Sequence, residues 1–245
     1  MTVEICCGDF ESLVAAAEGG TRRIELCSGL SEGGLTPSAG MIRAAADLGI
    51  ESVNVLVRPR KGDFCYNSRE VDLMCREISI AAAEGATGIV AGALTPDGDI
   101  DIDTTGRLRQ AAAGLQFTFH RAFDLCNNPL KALEDLVALQ CDTLLTSGQA
   151  QSAPLGTQLI ARLVDVADDR ITVMAGAGVN SANVARLIAQ TGVKAVHSTA
   201  RGPVASLMRF RRQGVSMGAP GDDEYQRMAT SASEVAAIIA AAGTR

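Results

Sequence analysis

Tryptophan is absent from this 245-residue chain, and with two tyrosines and six phenylalanines the aromatic share is only 3%. Without large rings, the core has to be built from Ala, Val, Ile, Leu and Gly, which suits a close-packed α/β fold. An excess of positive charge is also absent. Lys plus Arg number 22 against 28 Asp plus Glu, a net charge of −6. That balance excludes the basic footprint of a nucleic-acid binder and the polybasic patch of a membrane-surface protein. No stretch approaches the roughly 20 uninterrupted apolar residues of a membrane span, so no membrane partner is expected. The opening MTVEICCGDF has no basic region followed by a long apolar run and does not read as a signal peptide. CxxC is missing too. The seven cysteines, at 6, 7, 27, 65, 75, 126 and 141, are odd in number and scattered. They read as reduced thiols of a cytoplasmic protein rather than a disulfide framework.

What is present is a regular alternation. Short β runs at 3–6, 23–27, 52–57, 88–92, 116–120, 142–146, 171–175 and 194–197 are each followed by a helical pattern. The helices are expected at 11–18, 39–48, 70–84, 104–113, 130–139, 155–167 and 182–190, with a final helical run over 223–242. Strands alternating with helices imply βαβ units and a parallel sheet. An open doubly wound sheet is the alternative. Eight near-equal repeats without a long insertion, in a chain near the roughly 250 residues typical of such barrels, favour closure. The expectation is α/β, one TIM-barrel domain over residues 1–245. Pro37 and Pro129 mark helix starts, with Thr36 and Asn128 before them as candidate N-caps.

Barrel interiors are usually filled with Val, Ile and Leu, so charged strand residues need a reason. Glu4 shares a strand face with Cys6, and Glu25 with Cys27. Arg58 ends the face begun by Asn54 and Leu56. Thr118 and His120 share another, followed by Arg121 and Asp124, and His197 closes the eighth strand before Ser198. Both histidines of the chain thus fall at strand C-termini, where barrel active sites are built. The structural alternative is carboxylates paired with Arg58 or Arg121 and histidines satisfied in the core. Glu4, Glu25, Arg58, His120, Arg121, Asp124 and His197 form the candidate rim site, with acid–base roles open to the carboxylates and imidazoles.

Cys6 and Cys27 stand at matching ends of adjacent strands, and a pair of thiolates would favour copper(I). Packing as small hydrophobes is the alternative for both, and the expected role for Cys7. Gly-Ala-Gly at 176–178 leads towards a helix and offers backbone N–H groups to an anion, as do Ser147 and its neighbours after the sixth strand. Ser147, Gly176 and Gly178 are therefore anion-binding candidates, although glycines also simply permit tight turns. Ser181 stands where a dinucleotide fingerprint needs its third glycine, so no nucleotide cofactor is expected. The aspartates at 97, 99, 101 and 103 fail as a calcium loop and read as the acidic approach to a helix. Arg209, Arg211 and Arg212 read as a solvated or subunit-contact surface.

Several stretches in fixed order resemble the CutC family. They are EICC at 4–7, IELCSGLSEGGLTPS at 24–38, VRPRKGDFCY at 57–66, TFHRAFD at 118–124, LTSGQ at 145–149, MAGAGV at 174–179 and VHS at 196–198. The stretches at 206–218 and 223–225 also look like that family's closing segment, with Leu207 and Phe210 where Pro and Tyr are expected. The resemblance implies a (β/α)8 barrel, a cytoplasmic location, a homo-oligomer, and a role in copper homeostasis with copper(I) carried by Cys6 and Cys27. Two functions stay open at this point. One is a copper-handling protein with His120 or His197 as further ligands. The other is a barrel enzyme, isomerase-, lyase- or hydrolase-like, acting on a small anionic or phosphorylated substrate. In the second, Arg58 and the 176–178 turn hold the anion while Glu4 or His120 moves a proton.

Overall fold

The structure is a computed structural model that describes residues 1–215, 217 and 223–243. Ser216 and Gly218, within the closing segment, lie outside the described residues. Eight parallel strands follow one another around a closed barrel: β1 Thr2–Cys7, β2 Arg23–Leu26, β3 Ser52–Leu56, β4 Gly88–Ala91, β5 Gln116–Phe119, β6 Thr143–Thr146, β7 Thr172–Ala175 and β8 Ala195–Ser198. Each is followed by its helix, in order α1 Phe10–Glu18, α2 Ala39–Asp47, α3 Ser68–Ala83, α4 Ile102–Ala111, α5 Pro129–Ala138, α6 Thr157–Ala167, α7 Val184–Thr191 and α8 Ala232–Ala241. This is the expected TIM barrel. The seam is the β1–β8 ladder, in which Glu4 is the register partner of His197.

Local chemistry sets the helix starts. Asp9, Asn67, Asp101 and Asn128 each accept a backbone N–H of the first turn, and at α3 Glu70 completes a capping box with Asn67. One expected cap is corrected. Ser38, not Thr36, caps α2, because the Thr36 hydroxyl is engaged elsewhere: it donates to Glu77 and accepts from the Arg58 N–H. The expected helix over 223–242 is also corrected. Its first part is a strand, β10 Gln226–Thr230, paired antiparallel with β9 Arg201–Ala205. The helix begins only after Ser231, whose side chain accepts the Glu234 N–H. Among the described residues no helix is long and apolar enough to cross a membrane.

The main core lies between barrel and helices, where Ile5, Val55, Ile89, Phe117, Phe119, Leu144 and Val196 face outward from their strands. Truncating one of its fully buried phenylalanines to alanine typically costs about 3–5 kcal/mol. Inside the barrel the apolar filling is thin and divided. Cys6, Cys27, Leu56 and Val90 form one cluster, and Leu145, Met174 and Ala195 another. The remaining interior is polar, and the site lies there.

Candidate functional site

Glu4 is wholly buried, and its carboxylate joins three neighbouring strands of the barrel. Oε2 accepts Arg23 Nε at 2.6 Å and Asn54 Nδ2 at 3.2 Å, while Oε1 meets His197 Nδ1 at 2.9 Å. The partners expected for it, Arg58 and Arg121, are not the ones it finds. Arg23 is its register neighbour on β2 and takes that part. Burial pushes the Glu4 carboxyl up, but the hydrogen bond from His197 and the charge of Arg23 outweigh it and hold it below the usual range. For His197 burial acts downward, and the charges of Glu25 and Glu4 reverse it, leaving the imidazole more basic than usual. With Nδ1 on Glu4, His197 turns Nε2 away from that carboxylate.

Beside this pair lie the sulfurs. Cys6 Sγ is 3.3 Å from Glu25 Oε1 and 3.6 Å from Cys27 Sγ. Donor atoms of Cys6, Glu25 and His197 all fall within 4.8 Å of one another, and all three residues are buried. Cys27 adjoins the trio through Cys6, and His120 is not part of it. Two sulfurs 3.6 Å apart suit a shared ion with metal–sulfur bonds of about 2.3 Å and an angle near 100°, which leaves room for further ligands. Two soft sulfurs, an imidazole already oriented by a carboxylate, and one hard oxygen fit a thiophilic ion. The hydrogen bond with Cys27, then burial and the charge of Glu25, push the Cys6 thiol well up. Burial is the main cause of the raised Glu25 carboxyl.

Above the trio opens a cavity of about 250 Å³ at the C-terminal mouth of the barrel, walled by Cys6, Glu25, Arg58, His120, Arg121 and His197 among others. Glu4 and Asp124 are not on its wall. Arg58 is not a free fork. Its Nη1 donates to the carbonyls of Glu32 and Gly34, its Nη2 to that of Gly62, and its guanidinium lies 5.0 Å from the Phe64 ring centroid. The loops after β2 and β3 thus use most of the charge that the sequence offers to a ligand. His120 stands edge-on to Phe64 and Phe119, and burial first, then Arg58, pushes it down to about 3. Its Nδ1 accepts the Ala122 N–H, so the ring proton sits on Nε2.

The turn after β6 does hold an anion, and the anion is the protein's own. The Asp124 carboxylate accepts Thr146 Oγ1 at 2.5 Å, the N–H groups of Ser147 and Gln149, Ser147 Oγ, and Arg121 Nε at 2.7 Å. Ser147 is thereby consumed and is not on the wall of the cavity above the trio, a correction to its expected availability. The reason is local, because Asp124 sits in the 3₁₀ turn Arg121–Leu125 that packs against β6. Gly176 donates its N–H to Thr146, and Gly178 lines the cavity. Ala177, Thr199 and Leu30 also line it and were not singled out by the sequence. The glycines flanking Ala177 were the available signal.

Comparison with known proteins follows the same outline. The CutC family model matches residues 1–202. A CutC family protein of Chromobacterium violaceum is 49% identical over 236 residues, covering 96% of each chain. One from Bacteroides thetaiotaomicron is 45% identical over 234 residues, 95% of this chain and 94% of its own. The solved structure of a CutC from Streptococcus agalactiae, named for copper homeostasis, superimposes with a TM-score of 0.77 at 33% identity, covering 81% of this chain and 98% of its own. By model, sequence and structure, the chain belongs to the CutC family.

Proposed function

We propose that this chain binds copper(I) as cargo at the mouth of its barrel and serves copper homeostasis in the cytoplasm, as one barrel domain assembled into a homo-oligomer. Cys6 and Cys27 supply the soft pair, His197 Nε2 the nitrogen donor, and Glu25 a carboxylate beside them. The observation that carries this reading is the convergence of Cys6, Glu25 and His197 within 4.8 Å, with Cys27 Sγ 3.6 Å from Cys6 Sγ. The copper homeostasis name of the Streptococcus agalactiae relative supports the choice of ion. The test is an anaerobic copper(I) titration of reduced protein against a competing chelator, for the wild type and the Cys6→Ser/Cys27→Ser variant. One-to-one binding that disappears in the variant supports the reading; binding indifferent to both cysteines overturns it.

A second reading, a barrel enzyme acting on a small anionic molecule at the same rim, has one observation in its favour. The space of about 250 Å³ above the trio exceeds what one ion and its ligands fill, and it approaches the range of small-molecule sites. Arg58, His120, Arg121 and Gly178 stand on its wall.

A further inference from the structure

The turn at 177–179, after β7, is fixed by its carbonyls. Ala177 O accepts the Ala153 N–H at 2.9 Å, Gly178 O accepts Asn183 Nδ2 at 2.8 Å, and Val179 O accepts Ser198 Oγ at 2.6 Å. Ala177 and Gly178 have φ of 75° and 74°. For alanine that is a sparsely populated region, kept only where the surroundings enforce it, and such residues concentrate at ligand sites. All three carbonyls point into protein partners. Among the described residues, the N–H groups of Ala177, Gly178 and Val179 meet no acceptor, and neither does that of Thr199 after β8. All four residues wall the cavity. Successive N–H groups in such a turn form an anion-binding concavity.

An independent observation points to the same kind of ligand. Arg58 Nε and His120 Nε2 are buried without any hydrogen-bond partner, in residues only 6% and 5% exposed. Both atoms carry a proton, since Nδ1 of His120 already accepts from Ala122. Both residues wall the cavity, and the two donors, closed off from it where they now stand, are an uncompensated cost that turning either side chain onto an oxygen-bearing ligand removes. Arg121 also stands on the wall, its charge already paired with Asp124, and Glu25 is the carboxylate on the wall itself.

We propose that the cavity takes a small phosphorylated organic molecule. Its phosphoryl group sits on the N–H groups of residues 177–179 and 199, and Arg58 and His120 turn their unpartnered Nε and Nε2 donors onto an oxygen at its other end. Phosphoryl is favoured over carboxylate because its three oxygens accept from donors converging from two strand ends, whereas a carboxylate offers one plane. The inference rests on the second reading above, that an organic anion occupies this space, and it needs no metal.

The test is calorimetric titration of reduced, metal-free protein with inorganic phosphate, a small phosphate monoester and acetate, together with nitrogen NMR of the histidine rings. The expected result is saturable binding of phosphate and tighter binding of the monoester, which also shifts the His120 Nε2 resonance. Thr199→Asp, which sets a negative charge beside the turn from a half-buried position, weakens both by at least about tenfold while leaving the circular dichroism spectrum unchanged. His120→Phe keeps a ring among Phe64 and Phe119, and weakens the monoester but not inorganic phosphate. Phosphate binding no tighter than acetate, or unaltered by Thr199→Asp, overturns the proposal. Acetate binding without phosphate overturns the phosphoryl assignment yet leaves the organic-anion reading standing. Failure of all three ligands overturns both.

Discussion

His197 and Glu4 are register partners across the seam of the barrel, with Nδ1 of the one 2.9 Å from Oε1 of the other. The same carboxylate holds Arg23 at 2.6 Å, so removing its charge leaves a mostly buried guanidinium without its counter-ion. Glu4→Gln is therefore expected to destabilise the protein by about 3 kcal/mol, in the range for breaking one side of a buried pair. Under the proposed copper(I) role, affinity for the ion should also fall by roughly 10- to 100-fold, because the imidazole loses the group that orients it. Urea unfolding and chelator competition measure the two effects; a stability loss well under 1 kcal/mol would contradict the first.

Asp124 collects donors from the turn after β6 and from Arg121. Asp124→Ala abandons several of them at once, each unsatisfied buried donor costing about 1–3 kcal/mol. A loss of about 3 kcal/mol or more is expected in urea unfolding, with metal affinity unchanged in whatever fraction remains folded. Because Asp124 is absent from the cavity wall, a selective loss of binding at normal stability would argue that it meets the ligand.

His120 is held neutral by burial, which pushes it down to about 3 from an ordinary 6.5. The unfolded chain takes up this proton near 6.5 and the folded one does not. The contribution to stability is therefore complete above pH 6.5 and is lost progressively as pH falls towards 3. Between pH 6.5 and 5 the loss from this residue amounts to roughly 2 kcal/mol. Unfolding curves at several pH values should show His120→Phe with a shallower decline than the wild type over that interval. Parallel declines would show that the ring is accessible to protons in the folded state.

Gly92 directly follows β4, and a Cβ placed there would come within 2.8 Å of His120 Nδ1 and 2.9 Å of the Phe119 ring. Both rings are packed, so neither can simply swing aside. Gly92→Ala should cost about 1–3 kcal/mol through overpacking, and should shift the His120 ring resonances. A fully stable variant with unshifted resonances would mean the wall is softer than its packing suggests.

The barrel was legible because its signals are local. Eight apolar runs and the helices between them recur at one scale, and the two histidines and two strand glutamates stand out against an interior that should be aliphatic. The partners of those residues were less legible. Arg23 opens its strand and reads as a surface residue until the β1–β2 register places it opposite Glu4. Arg58 looks like a ligand arm, yet the carbonyls of Glu32, Gly34 and Gly62 take it up, and no sequence pattern announces a carbonyl as partner. Ser147 offered donors, but nothing in LTSGQ told that Asp124 would fold back on them. The β9–β10 hairpin was hidden because the Ala-rich run after Ser231 lent its helical character to the residues before it; the Ser231 to Glu234 spacing was the overlooked boundary.

The Glu4–His197 contact spans 193 positions of sequence. Synthesis delivers Glu4 and Cys6 with the first barrel strand, and the imidazole only when the last barrel strand has emerged. A chain that stops before β8 carries both sulfurs and the Glu4 carboxylate but lacks the His197 imidazole that they stand beside. The complete donor set therefore exists only in a finished barrel, so a cargo that requires it cannot be loaded onto an incomplete chain.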